Sequence, residues 1–547
     1  MTKMTTRGKA RFVVALLFVA ILRLTMVSAS PPPIAPPAGA GSFDHARAWS
    51  TLERFVGDGT PRAVGTDGHA AAVTRLLALL SETGAEISDQ PFPARGWNRT
   101  VVPMTNIIAL ARGKSPPAGA DAPLILLCAH YDCVPAGEGA GDNAAGVACA
   151  IEILRDLSQV PADVDVAVLF SDGEETGLYG ARAFALDHPM WQRVRAVVNV
   201  DARGSDGPVY IFETGSDGPW HAAALATLNL PAATTSLASE AYRRMPNGTD
   251  FTVFLKGKRP GFNLAFIGSP RNYHTKDDTV ANLDPRTVNA MGVSALALVR
   301  FLAMNSPGPS PAERTHVWFD FFGWRVLHWP VSICWTVVAI ASGVLLLTLR
   351  RARRAGRASL LGTLESAASA LGGLVLAALL GIIATRLLYW SGRVDLPWPA
   401  SGVWWGDLLL LLVGATAAWL PARAIAARRA LRRGPSIAAW DSWLGGWFLL
   451  AALAVLVTAL APGASHPFVA PVGVSAVAAI VALLRRSRHP EWCAAAGAAA
   501  ALIVWLPLEQ AFVDAFGLSL GGFTALRGAI LATSVRPLLD SPGHSAA

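Results

Sequence analysis

The sequence predicts an α/β domain, a mixed and mostly parallel central sheet flanked by helices, followed by an all-α domain of six or seven membrane-spanning helices. Three observations predict it. Residues 42–310 alternate short apolar strings with polar helical patterns and Gly/Pro/Asp turns, as a soluble α/β domain does. Beyond about residue 328 the apolar runs lengthen and cluster. Over 547 residues the mean hydropathy is +0.40 with 15% charged residues, too apolar for a wholly soluble chain and too long for one core.

At the N-terminus, Lys3, Arg7, Lys9 and Arg11 precede the apolar run Phe12 to Leu22. Arg23, a second short run and Val27-Ser28-Ala29 follow, then a Pro-rich tether from Pro31 to Gly41. Residues 1–41 fit a cleaved signal peptide and an uncleaved signal anchor equally. Arg23 weighs against a comfortable span, at a cost of ~2.5–3.5 kcal/mol in mid-membrane, although its long side chain reaches toward an interface. Either way the basic end stays inside and residues 42–310 are expected outside the cytoplasm.

Within that domain the first buried-strand candidate is Leu124 to Cys128, and His130 and Asp132 follow where the strand should end. Ligands of open α/β sheets gather at the carboxyl ends of strands. Asp132 is spaced to accept the second ring proton of His130 and fix its tautomer. Asp142 opens the helical pattern Asn143 to Leu157, either as a helix cap or as a carboxylate shared by two metals. Gly141 and Gly146 would let the backbone come close to the site.

Val164 to Phe170 is the next strand, with Glu174 and Glu175 just beyond it. Adjacent buried carboxylates repel and raise one another's pKa, so structure alone does not favour them. Metal and proton chemistry does, if one glutamate binds a cation and the other takes a proton from water. Arg195 to Val200 ends in Asp201, and His274 follows the apolar run Phe262 to Ile267. Two imidazoles and three carboxylates, with one glutamate left as base, suit Zn²⁺ best, with Mn²⁺ or Co²⁺ as substitutes.

The strings AHYDC (129–133), GDNAAG (141–146), DGEETG (172–177), NVDARG (199–204) and NYHT (272–275), in this order, resemble metallopeptidase family 28. That family holds di-zinc exopeptidases: secreted bacterial aminopeptidases, glutamate carboxypeptidases and the related glutaminyl cyclases. The resemblance covers about residues 50–305 and includes Pro61 to Ile87 and Thr105 to Gly113. VWFDFFGWRVLHW (317–329), NGTDF (247–251) and KDDTVANLD (276–284) are similar to its membrane branch, typified by vacuolar and endoplasmic-reticulum membrane proteases.

The resemblance implies the aminopeptidase-like fold of zinc exopeptidases and two zinc ions per chain. His130 and Asp201 would bind one, Glu175 and His274 the other, and Asp142 would bridge them. Glu174 would be the general base and Asp132 the residue that orients His130. It implies a membrane-bound aminopeptidase acting on peptides. A glutaminyl-cyclase-like acyl transferase and a non-catalytic peptide-binding receptor or transport component are the alternatives. Arg203 and Asp250 are candidate substrate contacts, though a surface arginine and a helix-capping aspartate explain them as readily.

Ser306 to Pro311 reads as a stiff linker, with the membrane domain at 311–547. Its expected spans are Val331 to Leu349, Ala367 to Leu388, Trp404 to Leu420, Gly445 to Ala461, Phe468 to Leu484 and Cys493 to Leu508, with a weaker seventh over Phe512 to Thr533. Arg350, Arg351, Arg353, Arg354 and Arg357 fall in one loop, Arg423, Arg428, Arg429, Arg432 and Arg433 in a second, and Arg485, Arg486 and Arg488 in a third. Every second loop is therefore basic, as the positive-inside rule requires. Taking these thirteen arginines from the net charge of +8 leaves −5, so the basic balance reports topology and not a nucleic-acid partner.

Glu365, Arg386, Asp407 and Glu509 lie near span ends and read as interfacial, whereas Asp514 and Arg527 fall inside the weak last span. The five cysteines include Cys334 and Cys493 in spans, so no disulfide framework is expected; Cys128 and Cys133 read as packing residues. His188 and His221 lack ligand spacing. The lipid bilayer is the expected partner besides peptides, and nothing in the sequence sets the oligomeric state.

Overall fold

The computed structural model describes residues 5–114, 122–215, 218–305, 315–392, 404–433, 439–486, 489–516 and 520–539. The expected linker at 306–311 and Arg488 lie outside them. The chain divides into two compact units, Ser28–Trp329 and a second formed by Met1–Val27 with Pro330–Ala547. Helix α1 (Thr6–Ser28) belongs to the second.

The α/β unit runs through α2 (His45–Val56), α3 (Asp67–Ser81), β1 (Glu86–Arg95), β2 (Val101–Ala111), β3 (Leu124–His130), α4 (Gly146–Gln159), β4 (Asp165–Ser171), α5 (Tyr179–Asp187), β5 (Val194–Ala202), β6 (Asp206–Thr214), α6 (Pro219–Leu228), β7 (Ala232–Thr234), α7 (Ser236–Tyr242), α8 (Asp250–Lys256), β8 (Gly261–Gly268) and α9 (Pro285–Met304). Eight strands form one sheet in the order β1-β2-β4-β3-β5-β8-β6-β7. The central strands β4, β3, β5 and β8 are parallel, and antiparallel pairings join them to β2 and β6.

The central strands are buried on both faces, which is why they read as unbroken apolar runs. Along β3 the period of two sends Ile125, Leu127 and Ala129 into the larger core with α2, α3, α4 and α9. Leu124, Leu126 and Cys128 face the other side, against Phe184 of α5 and Phe251 and Phe254 of α8. Helix α9 is long and apolar enough to cross a membrane, yet Val288, Met291, Leu298 and Leu302 are fully buried in the larger core.

The hairpin of β9 (His316–Phe321) and β10 (Arg325–Pro330), which the sequence reading grouped with the membrane part, packs on the α/β unit. Trp318 is fully buried there. Its indole N–H donates to Thr234 Oγ1 at 3.1 Å, and its backbone N–H donates to Ser236 Oγ at 3.1 Å.

The other unit adds α10 (Val331–Arg354), α11 (Leu360–Trp390), α12 (Trp404–Arg433), α13 (Ala439–Leu460), α14 (His466–Leu484), α15 (Glu491–Phe516) and α16 (Gly521–Leu539). Among the described residues of this unit, α1, α10, α11, α13, α14 and α15 are long and apolar enough to span a membrane, and α12 carries a shorter apolar stretch, Gly406–Pro421. The weak seventh span is displaced: residues 512–516 finish α15, and α16 starts at Gly521. Helix α16 packs against α11, α12, α13 and α15, and that enclosure explains how it carries polar residues a lipid-facing helix would not.

Candidate metal centre

His130 is the last residue of β3, and Asp201 is the penultimate residue of β5. Glu174 and Glu175 occupy the turn after β4, and His274 the loop after β8. Four neighbouring parallel strands thus deliver these groups to one sheet end. Asp142 arrives on an irregular turn, Ala140–Ala145, in front of α4. Asn143 fastens that turn to β5 by donating from Nδ2 to the Val200 carbonyl at 2.8 Å. A Cβ on Gly141 would strike the Gly204 carbonyl, and one on Gly146 the Asn143 side chain, so both positions require glycine.

The geometry centres on the Asp142 carboxylate. Its Oδ1 lies 3.1 Å from His130 Nε2, and its Oδ2 lies 3.1 Å from His274 Nε2. Asp201 Oδ1 is 3.5 Å from the same His130 nitrogen, and Glu175 Oε2 is 3.1 Å from the same His274 nitrogen. Two donor groups result, His130–Asp142–Asp201 and Asp142–Glu175–His274, each with its donor atoms within 4.8 Å of one another.

His130 Nδ1 is 3.2 Å from the Asp132 carbonyl and 3.5 Å from Asp132 Oδ1, an arrangement that puts its proton there and leaves Nε2 as the lone pair. Nε2 is buried with no hydrogen-bond partner. Fully buried Asp132 also accepts the backbone N–H groups of Glu174 at 3.1 Å and Glu175 at 3.3 Å.

Burial raises the pKa of Glu175 to about 8, with the Asp142 charge adding to it. Burial likewise lifts Glu174 well above the carboxylate range, against the pull of His130 and with the charges of Asp201 and Glu175 behind it. Asp201 is raised by burial as well. His274 would be lowered by burial, but its hydrogen bonds to Asp142 and Glu175 win and raise it to about 10. Carboxylates pressed together this way need positive charge between them, which a divalent cation supplies. The unpartnered Nε2 and the mixed nitrogen and carboxylate donors fit zinc.

Arg203 is half-buried, and its guanidinium lies 6.0 Å from the centre of the Tyr273 ring, which stacks on His274 at 3.7 Å. It is therefore a rim residue of the centre rather than a free surface arginine. Asp250 is the first residue of α8, whose cap is Thr249, and its carboxylate turns inward to accept the Ser171 hydroxyl behind the centre. His188 and His221 stand apart from the donor groups, packed against Phe184 and Phe262.

Two residues escaped the sequence reading. Asp278 accepts the backbone N–H of Gly141 at 2.7 Å and of Asp142 at 3.2 Å. Tyr242, at the end of α7, has a buried hydroxyl beside the Thr249 side chain and within electrostatic reach of Glu213, Asp201 and Glu174. Neither carries a periodic or spacing signal. Asp278 sits four residues past His274, in a string noted only for its likeness to the membrane branch.

Residues 106–299 match the family model described as peptidase family M28. The α/β domain belongs to peptidase family M28. Among curated proteins, this M28 domain and its flanks are 29% identical to endoplasmic reticulum metallopeptidase 1 of Mus musculus, over 54% of this chain and 35% of that protein. A vacuolar membrane protease of Schizosaccharomyces pombe is 32% identical over 45% of this chain and 29% of its own length. The chain thus spans about a third of the curated relatives it matches. A solved leucine aminopeptidase precursor from Bacteroides thetaiotaomicron aligns at 20% identity and a TM-score of 0.40, covering 48% of this chain and 98% of that one. The M28 domain is accompanied by several helices long and apolar enough to cross a membrane, in keeping with the membrane location that the name of the vacuolar relative states.

Proposed function

We propose that this protein is a membrane-bound exopeptidase, an aminopeptidase, that uses two zinc ions to hydrolyse peptides outside the cytoplasm. The observation that carries the reading is the Asp142 carboxylate, which offers one oxygen to the His130 group and the other to the His274 group. His130 and Asp201 would hold one ion, Glu175 and His274 the other, with Asp142 between them. When bound, zinc supplies Lewis acidity toward the scissile carbonyl and toward water.

Glu174 belongs to neither donor group. Its carboxylate takes the proton of the attacking water, holds it, and passes it to the leaving amine. Asp132 holds the backbone of both glutamates at the centre, which sets where their side chains start. The buried Tyr242 hydroxyl, within electrostatic reach of Asp201 and Glu174, is the donor for the carbonyl oxygen as negative charge builds there. The extracytoplasmic side is supported by the arginines that close α10 and by the basic start of the chain.

The test uses the full chain in detergent on aminoacyl, N-blocked and glutaminyl peptides, before and after chelation and zinc readdition. Chelator-sensitive, zinc-restored release of the N-terminal residue supports the proposal. Release from the C-terminus, cyclisation of glutamine, or zinc binding with no turnover would each replace it.

A further inference from the structure

We propose that Asp407, Glu509 and Arg527 form a proton-binding site within the membrane unit. Asp407 lies in the first turn of α12, Glu509 in the second half of α15 and Arg527 in α16. They are 2%, 8% and 1% exposed, so these groups near helix ends are enclosed by neighbouring helices rather than open to solvent. Arg527 Nη1 lies 2.9 Å from Glu509 Oε2, and its Nη2 donates to Thr524 Oγ1 at 3.0 Å. The guanidinium stands over the rings of Phe512 at 4.6 Å and Phe523 at 5.4 Å.

One guanidinium therefore faces two carboxylates. It compensates Glu509 directly, whereas both Asp407 oxygens are buried with no hydrogen-bond partner and feel Arg527 only through space. An ionised carboxylate buried among helices with neither oxygen hydrogen-bonded carries the full cost of its lost hydration. A single proton removes that surplus charge. The packing admits little else, because a Cβ on Gly414 would meet the Ala525 carbonyl and one on Gly528 the Leu411 carbonyl. Backbones of α12 and α16 that close leave no room for a solute beside the triad.

The remaining groups on the surrounding helices do not supply the missing charge. Helix α15 also brings Asp514, which is buried and already partnered. Helix α11 brings the buried hydroxyl of Thr385 beside Gly521, and its Arg386 is exposed. Glu365 of α11 and Asp441 of α13 lie toward the opposite ends of their helices, where Asp441 accepts the Ser359 N–H at 2.8 Å. The site has two balanced states. In one, Asp407 carries the proton and Glu509 pairs with Arg527; in the other, the proton has moved to Glu509 and Asp407 takes the guanidinium. Because Asp407 sits in the first helical turn, the proton exchanges with the side on which α12 begins.

The experiment is infrared spectroscopy of the full chain in lipid nanodiscs, labelled with ¹³C-aspartate and titrated in H₂O and D₂O, in sodium or choline chloride. The expected result is an aspartic-acid carbonyl band at neutral pH that shifts with the label and in D₂O, disappears in Asp407→Asn, and ignores sodium. In Glu509→Gln, Arg527 is left with Asp407 alone, and the same band should vanish although Asp407 is intact. Asp407→Glu should keep an acid band that the aspartate label no longer moves. A wild-type spectrum identical to that of Asp407→Asn overturns the proposal, and so does a band abolished by sodium but not by choline, which would make the site a cation site.

Discussion

Asp278 holds Asp142 from behind. Its two carboxylate oxygens accept the backbone N–H groups of Gly141 and Asp142 at 2.7 and 3.2 Å, so the loop that carries His274 also fixes the turn that carries the shared ligand. Asp278→Ala should free that turn and weaken zinc binding by about 10- to 100-fold, the usual cost of losing a group that supports a ligand. Asp278→Asn, which keeps one acceptor, should fall between. Zinc affinity by competition with a chromogenic chelator is the measurement, and wild-type affinity in Asp278→Ala would remove Asp278 from the centre.

Glu174→Gln separates proton transfer from metal binding. The amide keeps the shape and contributes nothing to either donor group, so zinc content should be unchanged while kcat falls by about 10²- to 10⁴-fold or more. His274→Ala should do the reverse and lower the zinc content measured by mass spectrometry. Activity intact in Glu174→Gln would mean that another group moves the proton.

Tyr242→Phe removes a buried hydroxyl within electrostatic reach of Asp201 and Glu174. If that hydroxyl stabilises developing charge, kcat should drop about 10²- to 10³-fold with KM little changed. A change confined to KM would make Tyr242 a substrate contact instead.

The parts of this protein legible in sequence are those written as local patterns. Parallel strands buried on both faces appear as apolar runs such as Leu124 to Cys128, and the acids and histidines at their ends stand out because polar residues rarely follow buried strands without cause. All of His130, Asp132, Asp142, Glu174, Glu175, Asp201 and His274 converge on one sheet end for that reason. Contacts between distant segments leave no such trace. Asp278 reaches back 136 residues to Asp142 from a loop, and Trp318 reaches 84 residues to Thr234 from β9, each through a single side chain. Arg527 stood out as a charge inside the weak last span, but its enclosure by other helices did not. Hydropathy cannot tell a helix that faces lipid from one, like α16, that other helices enclose.

His69 gives the α/β domain a stability that depends on pH. Its Nε2 lies 2.8 Å from Asp172 Oδ1 and its ring stacks on Tyr131. Burial, the largest single effect, would lower its pKa, but the hydrogen bond to Asp172 together with the charges of Asp172 and Asp132 outweighs that and raises it above 6.5. A group raised on folding stabilises fully below its unfolded pKa of about 6.5 and loses that contribution as pH rises through the folded value. The melting temperature should therefore fall with rising pH above that point. His69→Gln should cost on the order of 1.5–3 kcal/mol on the acid side and flatten the dependence. A profile of the same slope in the variant would assign it to other groups.

Trp318 makes the hairpin part of the α/β unit. Its indole fills a fully buried site, and its contacts with Thr234 and Ser236 hold the start of α7, the helix that ends in Tyr242. Trp318→Ala should cost about 3–5 kcal/mol, read as a lower melting temperature of the α/β domain. Trp318→Phe, which fills most of the volume but lacks the N–H, should cost about 1 kcal/mol. If α7 positions Tyr242, the phenylalanine variant should also lose kcat without losing zinc, and adding Tyr242→Phe to it should then have less effect than in the wild type. Full additivity of the two would show that the hairpin supports the fold without reaching the centre.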